Sequence, residues 1–297
     1  MRLVAINLSF EKGHKKMKPT FDPIQYKMTA KANWNAVAPE YHYNWADKKI
    51  GPFKSTREIV KLANIRPDDK VLDVACGTGV VSKEISQSLG PKGLLVGIDL
   101  SRTALGIAKG TISFQNSSFV EMDAENMGFN FKFDKVTCQY GLMFFPDSRK
   151  VLESIRNILN QNGMLIVAVH GLAEDVPYFN TIMKPILEYI PDIRPAGTPT
   201  VHRFGNPNDL ESELSGAGFG NVAVTRYDFV YEPGTFEEYW TDYMRSTANS
   251  IKSKIESYGQ DTMDKIKRDA QKNALRHEEN GNLVFPWTVL VASGINH

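Results

Sequence analysis

The sequence predicts an α/β fold in which a mostly parallel sheet is covered by helices on both faces. Short apolar runs of β type alternate with amphipathic helical segments between residues 70 and 170. A glycine-rich turn follows the first of these runs. The chain has 297 residues, 42% of them hydrophobic, which is enough to bury a sizeable core. Alternation of this kind is typical of parallel sheets that are buried on both faces.

The individual elements follow from the apolar periodicity. A helix over 148–160 carries its apolar residues on one face, and Asn162-Gly163 closes it and opens the next strand. Beyond residue 170, helical segments are expected over 173–190, 208–217 and 235–276, with a Pro/Gly-rich stretch from 191 to 207. The predicted strands are 70–75, 94–99, 118–122, 133–139, 163–169, 222–231 and 283–292.

The domain organisation predicted from these elements is simple. Residues 1–30 form an irregular N-terminal tail, and residues 31–297 form a single domain with helical insertions at about 171–206 and 235–276. Translation could begin at Met1 or at Met17. The apolar patch at residues 1–10 is short and polar-interrupted, so it is not read as a signal peptide.

Composition excludes several function classes. The net charge of +1 gives no strong field that would recruit nucleic acid, and no apolar run has the length of a membrane span. The only cysteines, Cys76 and Cys138, lie in apolar contexts without metal-ligand spacing, so they are interpreted as buried thiols and no metal is expected. A cytoplasmic protein is the expectation.

The most informative stretch, residues 71–79, reads VLDVACGTG. A strand, a turn containing Gly77 and Gly79, and a helix begin a nucleotide-binding βαβ unit, because glycines let a ligand approach the backbone. Asp73 ends the strand. A carboxylate there would repel a diphosphate but attract an ammonium group. The third small residue of the dinucleotide fingerprint is also missing, so the turn favours a nucleoside that carries an amino acid.

A second acid supports this interpretation. Asp99 ends the apolar run 94–99, about twenty residues after the glycine turn, where an acid can accept hydrogen bonds from both ribose hydroxyls. The alternative is an ordinary cap for the next helix, through Asp99 or Ser101. The spacing favours the ribose role.

Together these residues resemble motif I of class I S-adenosylmethionine-dependent methyltransferases. Over residues 31–231 the chain resembles the ubiquinone/menaquinone-biosynthesis group of small-molecule methyltransferases, clearly in the first half and loosely after residue 170. The resemblance implies a Rossmann-like, mostly parallel seven-stranded sheet with an antiparallel last strand and helical cap insertions. The cofactor residues assigned in this way are Asp73, Ala75, Gly77, Thr78, Gly79, Asp99, Leu100, Asp123, Ala124, Gln139 and Tyr41.

Several of these assignments have a plain structural alternative. The resemblance implies that Asp123 binds the adenine amino group and that the backbone N–H of Ala124 binds a ring nitrogen, but this segment could be an ordinary turn. Gln139 would contact the methionine moiety through its backbone. Tyr41 would close over the cofactor, although Pro39 departs from the family pattern, and a core-packing aromatic is equally consistent with the sequence.

Methyl transfer from a sulfonium needs alignment and exclusion of water, and a base only if the acceptor must lose a proton. Candidates near strand ends are His170 and Tyr140, although a lone histidine is more often structural. The acceptor is expected to be a small, partly apolar molecule. The aromatics of 235–276 could form a lid over it or simply pack against the sheet; they begin with Phe236, Tyr239, Trp240, Tyr243 and Met244.

Two other functions remain open at this point. A nicotinamide-dependent oxidoreductase is disfavoured by Asp73, and no tyrosine has a lysine four residues later, as short-chain dehydrogenases require. A protein that binds S-adenosylmethionine without turnover is the second alternative. The chain lacks the Asn/Asp-Pro-Pro-Tyr/Phe tetrad of the methyltransferases that act on nucleic-acid bases, which counts against a nucleic-acid partner.

Overall fold

The computed structural model describes residues 21–48 and 50–297. Its centre is one sheet with the strand order β3-β2-β1-β4-β5-β8-β6, and a two-residue strand, β7, pairs with β8. Strands β1 to β5 are mutually parallel where they pair, whereas β8 is antiparallel to both β5 and β6. The strands are β1 Lys70–Val74, β2 Leu94–Asp99, β3 Ser117–Glu121, β4 Phe133–Gln139, β5 Leu159–His170, β6 Gly220–Gly234, β7 Glu278–Glu279 and β8 Asn282–Ile295. The predicted fold class and antiparallel last strand are confirmed.

Helices cover both faces of the sheet. The chain alternates strand and helix as far as β5 except between β3 and β4, which are joined by a short 3-10 turn, and four of the five later helices lie within the predicted insertions. The helices are α1 Pro23–Tyr41, α2 Thr56–Ala63, α3 Val80–Ser86, α4 Arg102–Thr111, α5 Ser148–Ile158, α6 Pro177–Tyr189, α7 Pro207–Gly216, α8 Phe236–Arg245, α9 Asn249–Glu256 and α10 Gln260–Ala274.

The core is divided between the two faces of the sheet. Val71 and Leu72 are neighbours in β1, both are fully buried, and they belong to different apolar clusters on opposite faces. Successive side chains of a strand point to opposite faces, so a strand covered on both sides needs a continuous apolar run. This burial holds the carboxyl end of β1 in a fixed place.

Helix α1 begins earlier than the sequence prediction placed it. Residues up to 30 were expected to be irregular, but α1 begins at Pro23 because the Asp22 side chain caps the backbone N–H groups of Ile24 and Gln25, at 2.9 and 3.2 Å. Residues 1–20 of the predicted tail, with Met1 and Met17, lie outside the described residues. The division into tail and domain otherwise stays a prediction.

Pro39 does not end α1. The helix continues to Tyr41 and passes directly into a π-helical turn, His42–Ala46, in which the N–H of Asp47 donates to the carbonyl of His42 at 2.9 Å. π-helical turns inside helices are frequent at functional sites. Pro39 is therefore tolerated within the helix, and the π-helical turn begins three residues after it.

Two smaller expectations can be compared with the structure. Helix α5 ends at Ile158, before the predicted Asn162-Gly163 boundary, and Asn162 lies within β5 with φ +62°. Cys76 and Cys138 are free and buried, as predicted. Across 21–48 and 50–297, no helix combines the length and the apolar character that a bilayer crossing requires.

Candidate functional site

A cavity of about 180 Å³ lies at the carboxyl edge of the parallel strands, where ligands of open α/β sheets bind. We call it the first cavity. Its floor comes from the ends of β1, β2 and β4 and the loops that follow them, and α1 crosses above it. Every cofactor residue predicted from the sequence lines this cavity except Gly79.

Asp73 is fully buried at the end of β1. One carboxylate oxygen accepts a hydrogen bond from the Ser82 hydroxyl at 2.6 Å, and the other accepts one from the Thr137 hydroxyl at 2.8 Å. Burial raises the pKa of Asp73 to about 6, although both hydroxyl bonds oppose the rise. The carboxylate is therefore largely ionised at neutral pH and fixed in place by its neighbours.

Asp99 lies across the glycine turn from Asp73. Its carboxylate accepts hydrogen bonds from the backbone N–H of Gly77 at 2.9 Å and from that of Ser101 at 2.7 Å. Burial raises the pKa of Asp99, against these backbone bonds. The capping alternative belongs to Ser101, whose hydroxyl accepts the Ala104 N–H of α4 at 3.1 Å. Asp99 instead connects two loops and still lines the first cavity.

Gly77 and Gly79, the two glycines of the turn, have different surroundings. Gly77 has φ +53°, and a Cβ placed on it would meet nothing within 4 Å, since it would point into the first cavity. Gly79 has φ +85°, but its Cβ would lie 2.9 Å from Ala108 Cβ and Ile112 Cδ1. Gly79 therefore allows α3 to pack closely against α4, and its assignment to the cofactor site stays a prediction.

The Asp123 region is an ordered turn and also a cavity wall. Asp123 accepts hydrogen bonds from Lys27 Nζ at 2.8 Å, Asn126 Nδ2 at 3.0 Å and the Glu125 N–H at 3.0 Å. Burial acts to raise the pKa of Asp123, but these bonds outweigh it and the pKa is lowered. Ala124 is buried beside it and lines the first cavity.

Five further predicted residues line the first cavity. Thr78 contacts the π-helical turn, with its hydroxyl 2.9 Å from His42 Nδ1. Gln139 is held through its side chain, because Nε2 donates to Ser55 Oγ at 3.0 Å and Oε1 accepts from Thr56 Oγ1 at 3.2 Å. These bonds fix the side chains of both residues. The remaining predicted wall residues are Ala75, with φ +54°, Leu100 and Tyr41.

A second cavity, of about 530 Å³, adjoins the first. It lies between α1, the segment 193–201 and the start of α9. Six residues line both cavities and so form the boundary between them: Tyr26, Ala30, Trp34, Tyr41, Tyr140 and Phe144. Part of the predicted insertion 171–206 therefore lines this cavity.

His170 ends β5 and lines the second cavity. Trp287 Nε1 donates a hydrogen bond to His170 Nδ1 at 3.2 Å, and an indole N–H is only a donor, so Nδ1 must be the acceptor. The neutral ring then carries its proton on Nε2. Burial lowers the pKa of His170 to about 3. In this tautomer Nε2 is a hydrogen-bond donor, and the catalytic role of His170 stays a prediction.

Tyr140 has its hydroxyl engaged away from both cavities. The hydroxyl donates to the carbonyl of Pro52 at 2.6 Å and lies 2.8 Å from Ser55 Oγ, while burial raises its pKa. Its ring stacks on His170 with 4.4 Å between centroids. Tyr140 is therefore a wall residue, and its hydroxyl is not placed for the proton transfer that the sequence suggested.

The aromatics of α8 pack against the sheet and do not form a lid. Tyr239 donates its hydroxyl hydrogen bond to the carbonyl of Tyr178, and Tyr243 donates to that of Phe179 at 3.0 Å. Neither cavity is lined by Phe236, Tyr239, Trp240, Tyr243 or Met244. The lid hypothesis for these residues is wrong, and the packing alternative is correct.

Sequence reasoning missed the contribution of α1's first turns. Tyr26 and Lys27 line the first cavity, yet both fall in the stretch assigned to an irregular tail. The signal was present: Asp22 followed by Pro23 is a typical helix start, with a capping acid and a proline in the first turn. Lys27 Nζ also binds Glu125 at 2.6 Å, which ties α1 to the loop after β3.

The charges of the first cavity select its ligand. Its described lining contains four carboxylates, Asp73, Asp99, Asp123 and Glu125, and a single cation, Lys27. A diphosphate would be repelled by this excess of negative charge. S-adenosylmethionine carries a sulfonium, an ammonium and one carboxylate, so it is a net cation. The donor and acceptor set therefore fits S-adenosylmethionine and does not fit a dinucleotide.

Comparison with known proteins agrees with this geometry. A family model described as a methyltransferase domain matches residues 65–193. The chain is 29% identical over 206 residues to a demethylmenaquinone methyltransferase of Staphylococcus saprophyticus, covering 65% of this chain and 84% of that one. A demethylmenaquinone methyltransferase of Staphylococcus epidermidis is 29% identical over 158 residues. That match covers 52% of this chain and 61% of the relative, so the chain spans about three fifths of its length.

Solved structures share the fold. The YcgJ protein of Bacillus subtilis has a TM-score of 0.56 at 17% identity, covering 82% of this chain and 98% of that one. A phosphoethanolamine N-methyltransferase 2 of Haemonchus contortus has a TM-score of 0.55 at 15% identity, covering 91% and 59% of the respective chains. At these identities the likeness concerns the fold alone.

The sheet order, the acid-lined glycine turn and the domain match over residues 65–193 resemble those of class I methyltransferases, which use S-adenosylmethionine as their cofactor. Within that class, the chain is similar to the demethylmenaquinone methyltransferases of staphylococci.

Proposed function

We propose that this chain transfers a methyl group from S-adenosylmethionine to a small, partly apolar molecule by in-line displacement. The observation that carries the proposal is the first cavity: four carboxylates and one lysine surround a glycine turn whose Gly77 leaves open space for a ligand. The domain match and the similarity to methyltransferases that act on a quinone precursor support it.

The proposed roles follow from position. Asp73 attracts the ammonium of the cofactor's amino-acid end, and Asp99 accepts from the ribose hydroxyls. Asp123 accepts from the adenine amino group, since a carboxylate has about four acceptor positions and three are used here. Ala124 offers its backbone N–H to the adenine ring. The remaining proposed cofactor contacts are Ala75, Gly77, Thr78, Leu100, Gln139 and Tyr41, all of which line the first cavity.

When bound, S-adenosylmethionine supplies an electrophilic methyl group. The chain's part is to align the acceptor with that group and to exclude water. The six residues shared by the two cavities form the junction through which the methyl group must pass, and five of them are aromatic with large apolar surfaces. Tyr140 is fixed there by its bonds to Pro52 and Ser55, so it can hold an acceptor in one orientation.

The chain offers a donor rather than a base at the junction. The His170 Nε2–H can donate to an acceptor oxygen, which would orient the acceptor without removing its proton. We therefore propose His170 as an orienting group of the second cavity. Tyr140 contributes its ring, which keeps the imidazole parallel to itself.

Two further expectations, on localisation and on nucleic-acid partners, belong to the same proposal. We place the protein in the cytoplasm, and we expect no nucleic-acid partner, because the net charge of +1 provides no counterion-releasing surface. The acceptor is the only partner proposed.

Calorimetric titration of the purified chain with S-adenosylmethionine and with NAD tests the proposal. We expect the first ligand to bind and the second not to. Asp99→Asn should weaken binding by roughly 10- to 100-fold, since a charged hydrogen bond contributes about 1.5–3 kcal/mol. Asp68→Asn, which changes an exposed acid outside both cavities, is the matched control.

The opposite preference, NAD over S-adenosylmethionine, would overturn the cofactor assignment. Release of S-adenosylhomocysteine with candidate acceptors separates an enzyme from a protein that only binds the cofactor. Binding without any such release across an acceptor library would favour the second function.

A further inference from the structure

The second cavity contains one cation in apolar surroundings. Its walls include Phe179, Ile193, Pro199 and Ile251, and its only described guanidinium is that of Arg194, which is half-buried. Removing part of a charge from water costs free energy unless a partner compensates for it. The half-buried charge of Arg194 therefore calls for a compensating partner.

No partner for Arg194 occurs within the described parts of the chain. Its guanidinium makes no hydrogen bond and no ion pair there, whereas four neighbouring polar side chains of the cavity are bonded. Thr29 donates to the Gln25 carbonyl at 3.0 Å, Thr198 to the Pro195 carbonyl at 2.7 Å, Ser246 to the Asp242 carbonyl at 2.7 Å, and Asn33 accepts from Asn249 at 2.8 Å. Arg194 is the charged side chain of the described cavity lining whose donors have no partner among the residues that the structure describes.

The only carboxylate on the described lining is Asp22, which is exposed at the start of α1. One of its oxygens caps the helix by accepting from two backbone N–H groups, and Asp22 forms no ion pair with Arg194. The field of Arg194 instead reaches the cavity wall: burial raises the pKa of Tyr26, and the charges of Arg194 and Arg203 offset part of that rise.

The backbone on both sides of Arg194 is fixed. Ile193 is buried, and its N–H donates to the Ile190 carbonyl at 3.1 Å. The carbonyl of Pro195 accepts from both the N–H and the hydroxyl of Thr198, at 3.2 and 2.7 Å, which closes a tight turn. Arg194 is thus presented to the cavity from an anchored segment, so little ordering is needed when it binds a ligand.

We propose that the methyl acceptor is a small organic acid whose carboxylate is bound by Arg194. This rests on the proposed function of the same site. Arginine presents a planar pair of donors that matches a carboxylate, and one guanidinium matches one negative charge.

The position of Arg194 also orients the acceptor. It lines the second cavity but not the first, whereas the methyl group arrives at the junction of the two. The carboxylate therefore lies away from the reacting atom. The apolar body of the acceptor runs between them along Phe179 and Ile251, and the His170 Nε2–H contacts it close to the Tyr140 ring.

The experiment uses the full chain saturated with S-adenosylhomocysteine. Benzoate and benzamide are matched probes that differ in charge, and phenyl phosphate carries a different anion. By calorimetry or ligand-observed NMR we expect benzoate to bind about tenfold tighter than benzamide. Arg194→Gln should abolish that preference, Arg194→Lys should retain part of it, and Arg276→Gln, an exposed control, should leave it unchanged.

Each other result overturns the inference. Equal binding of benzoate and benzamide, no binding of either probe, tighter binding of phenyl phosphate, or a preference that survives Arg194→Gln would each do so. The test is independent of the cofactor assignment, because loss of S-adenosylhomocysteine binding by the unaltered chain would instead contradict the proposed function. Arg194→Gln should bind S-adenosylhomocysteine as tightly as the unaltered chain does, which confirms that the variant is folded.

Discussion

The two cavities are neighbours but are built in opposite ways. The first is formed by loops that directly follow β1, β2, β3 and β4, so its polar residues lie in short motifs next to strands. The second is formed by α1, the segment 193–201 and the start of α9, which are far apart in the sequence. A site at the ends of parallel strands can be recognised locally, whereas one between insertions depends on tertiary packing.

Their charges differ as well. The first cavity has four carboxylates against one lysine, and the second has one guanidinium against one exposed acid. A cationic cofactor and an anionic acceptor would therefore be separated by electrostatics before any specific contact forms. The opposite charges of the two cavity linings would therefore direct the cofactor and the acceptor to different cavities.

The largest expected effect concerns Asp73. Its pKa is raised to about 6 by burial, so the folded protein holds this proton more tightly than the unfolded chain does. The contribution of Asp73 to the free energy of unfolding is then highest at low pH and decreases as pH rises from about 4 to 6. Relative to Asp73→Asn, the unaltered protein should lose roughly 2–3 kcal/mol across this window, as measured by urea unfolding.

Parallel stability curves for the two proteins would contradict the raised pKa of Asp73. Ionisation of Asp73 should also affect binding in the first cavity, because a cationic cofactor favours the ionised carboxylate. Affinity for S-adenosylmethionine should therefore increase as pH rises through 6, and Asp73→Asn should remove that dependence.

A matched pair of glycine variants comes second. Gly77→Ala places a methyl group in the open space of the first cavity and should weaken cofactor binding on the order of 10- to 100-fold. Ala75 adopts φ +54° in the same turn, so the fold tolerates such a residue. Gly79→Ala should instead lower stability by about 1–3 kcal/mol through overpacking against α4, while the folded fraction binds normally. Calorimetry measures cofactor binding, and thermal unfolding measures stability. If Gly79→Ala weakened binding while Gly77→Ala only lowered stability, the different roles given to the two glycines would be refuted.

The smallest effect is expected in the second cavity. His170→Ala should lower kcat/KM about tenfold by removing one donor, whereas His170→Gln, which keeps an N–H, should retain most activity. Because the pKa of His170 is lowered to about 3, its titration should leave no limb near pH 6.5 in the rate profile. A limb there that disappears in His170→Gln would restore the base that the sequence suggested.

The sequence predicted the sheet and most of the first cavity because both depend on local patterns. The run ending at Asp73, its glycine turn and Asp99 are each legible within a few residues. The beginning of α1 was missed although Asp22 and Pro23 signalled it, because the preceding residues read as irregular.

Other differences could not be predicted from the sequence. Whether Gly79 packs against a helix depends on where Ala108 lies, 29 residues later. The tautomer of His170 depends on Trp287, 117 residues away. The aromatics of α8 have the same helical spacing whether they cover a ligand or pack on β8, and only the tertiary structure distinguishes the two.

Helix α1 contributes four of the six residues that face both cavities: Tyr26, Ala30, Trp34 and Tyr41. Any displacement of this helix by one ligand therefore changes the affinity of the protein for the other ligand. Such coupling is reciprocal, so the acceptor must alter cofactor affinity by the same factor by which the cofactor alters acceptor affinity. A half-loaded enzyme and a fully loaded one would then differ in how long each ligand remains bound.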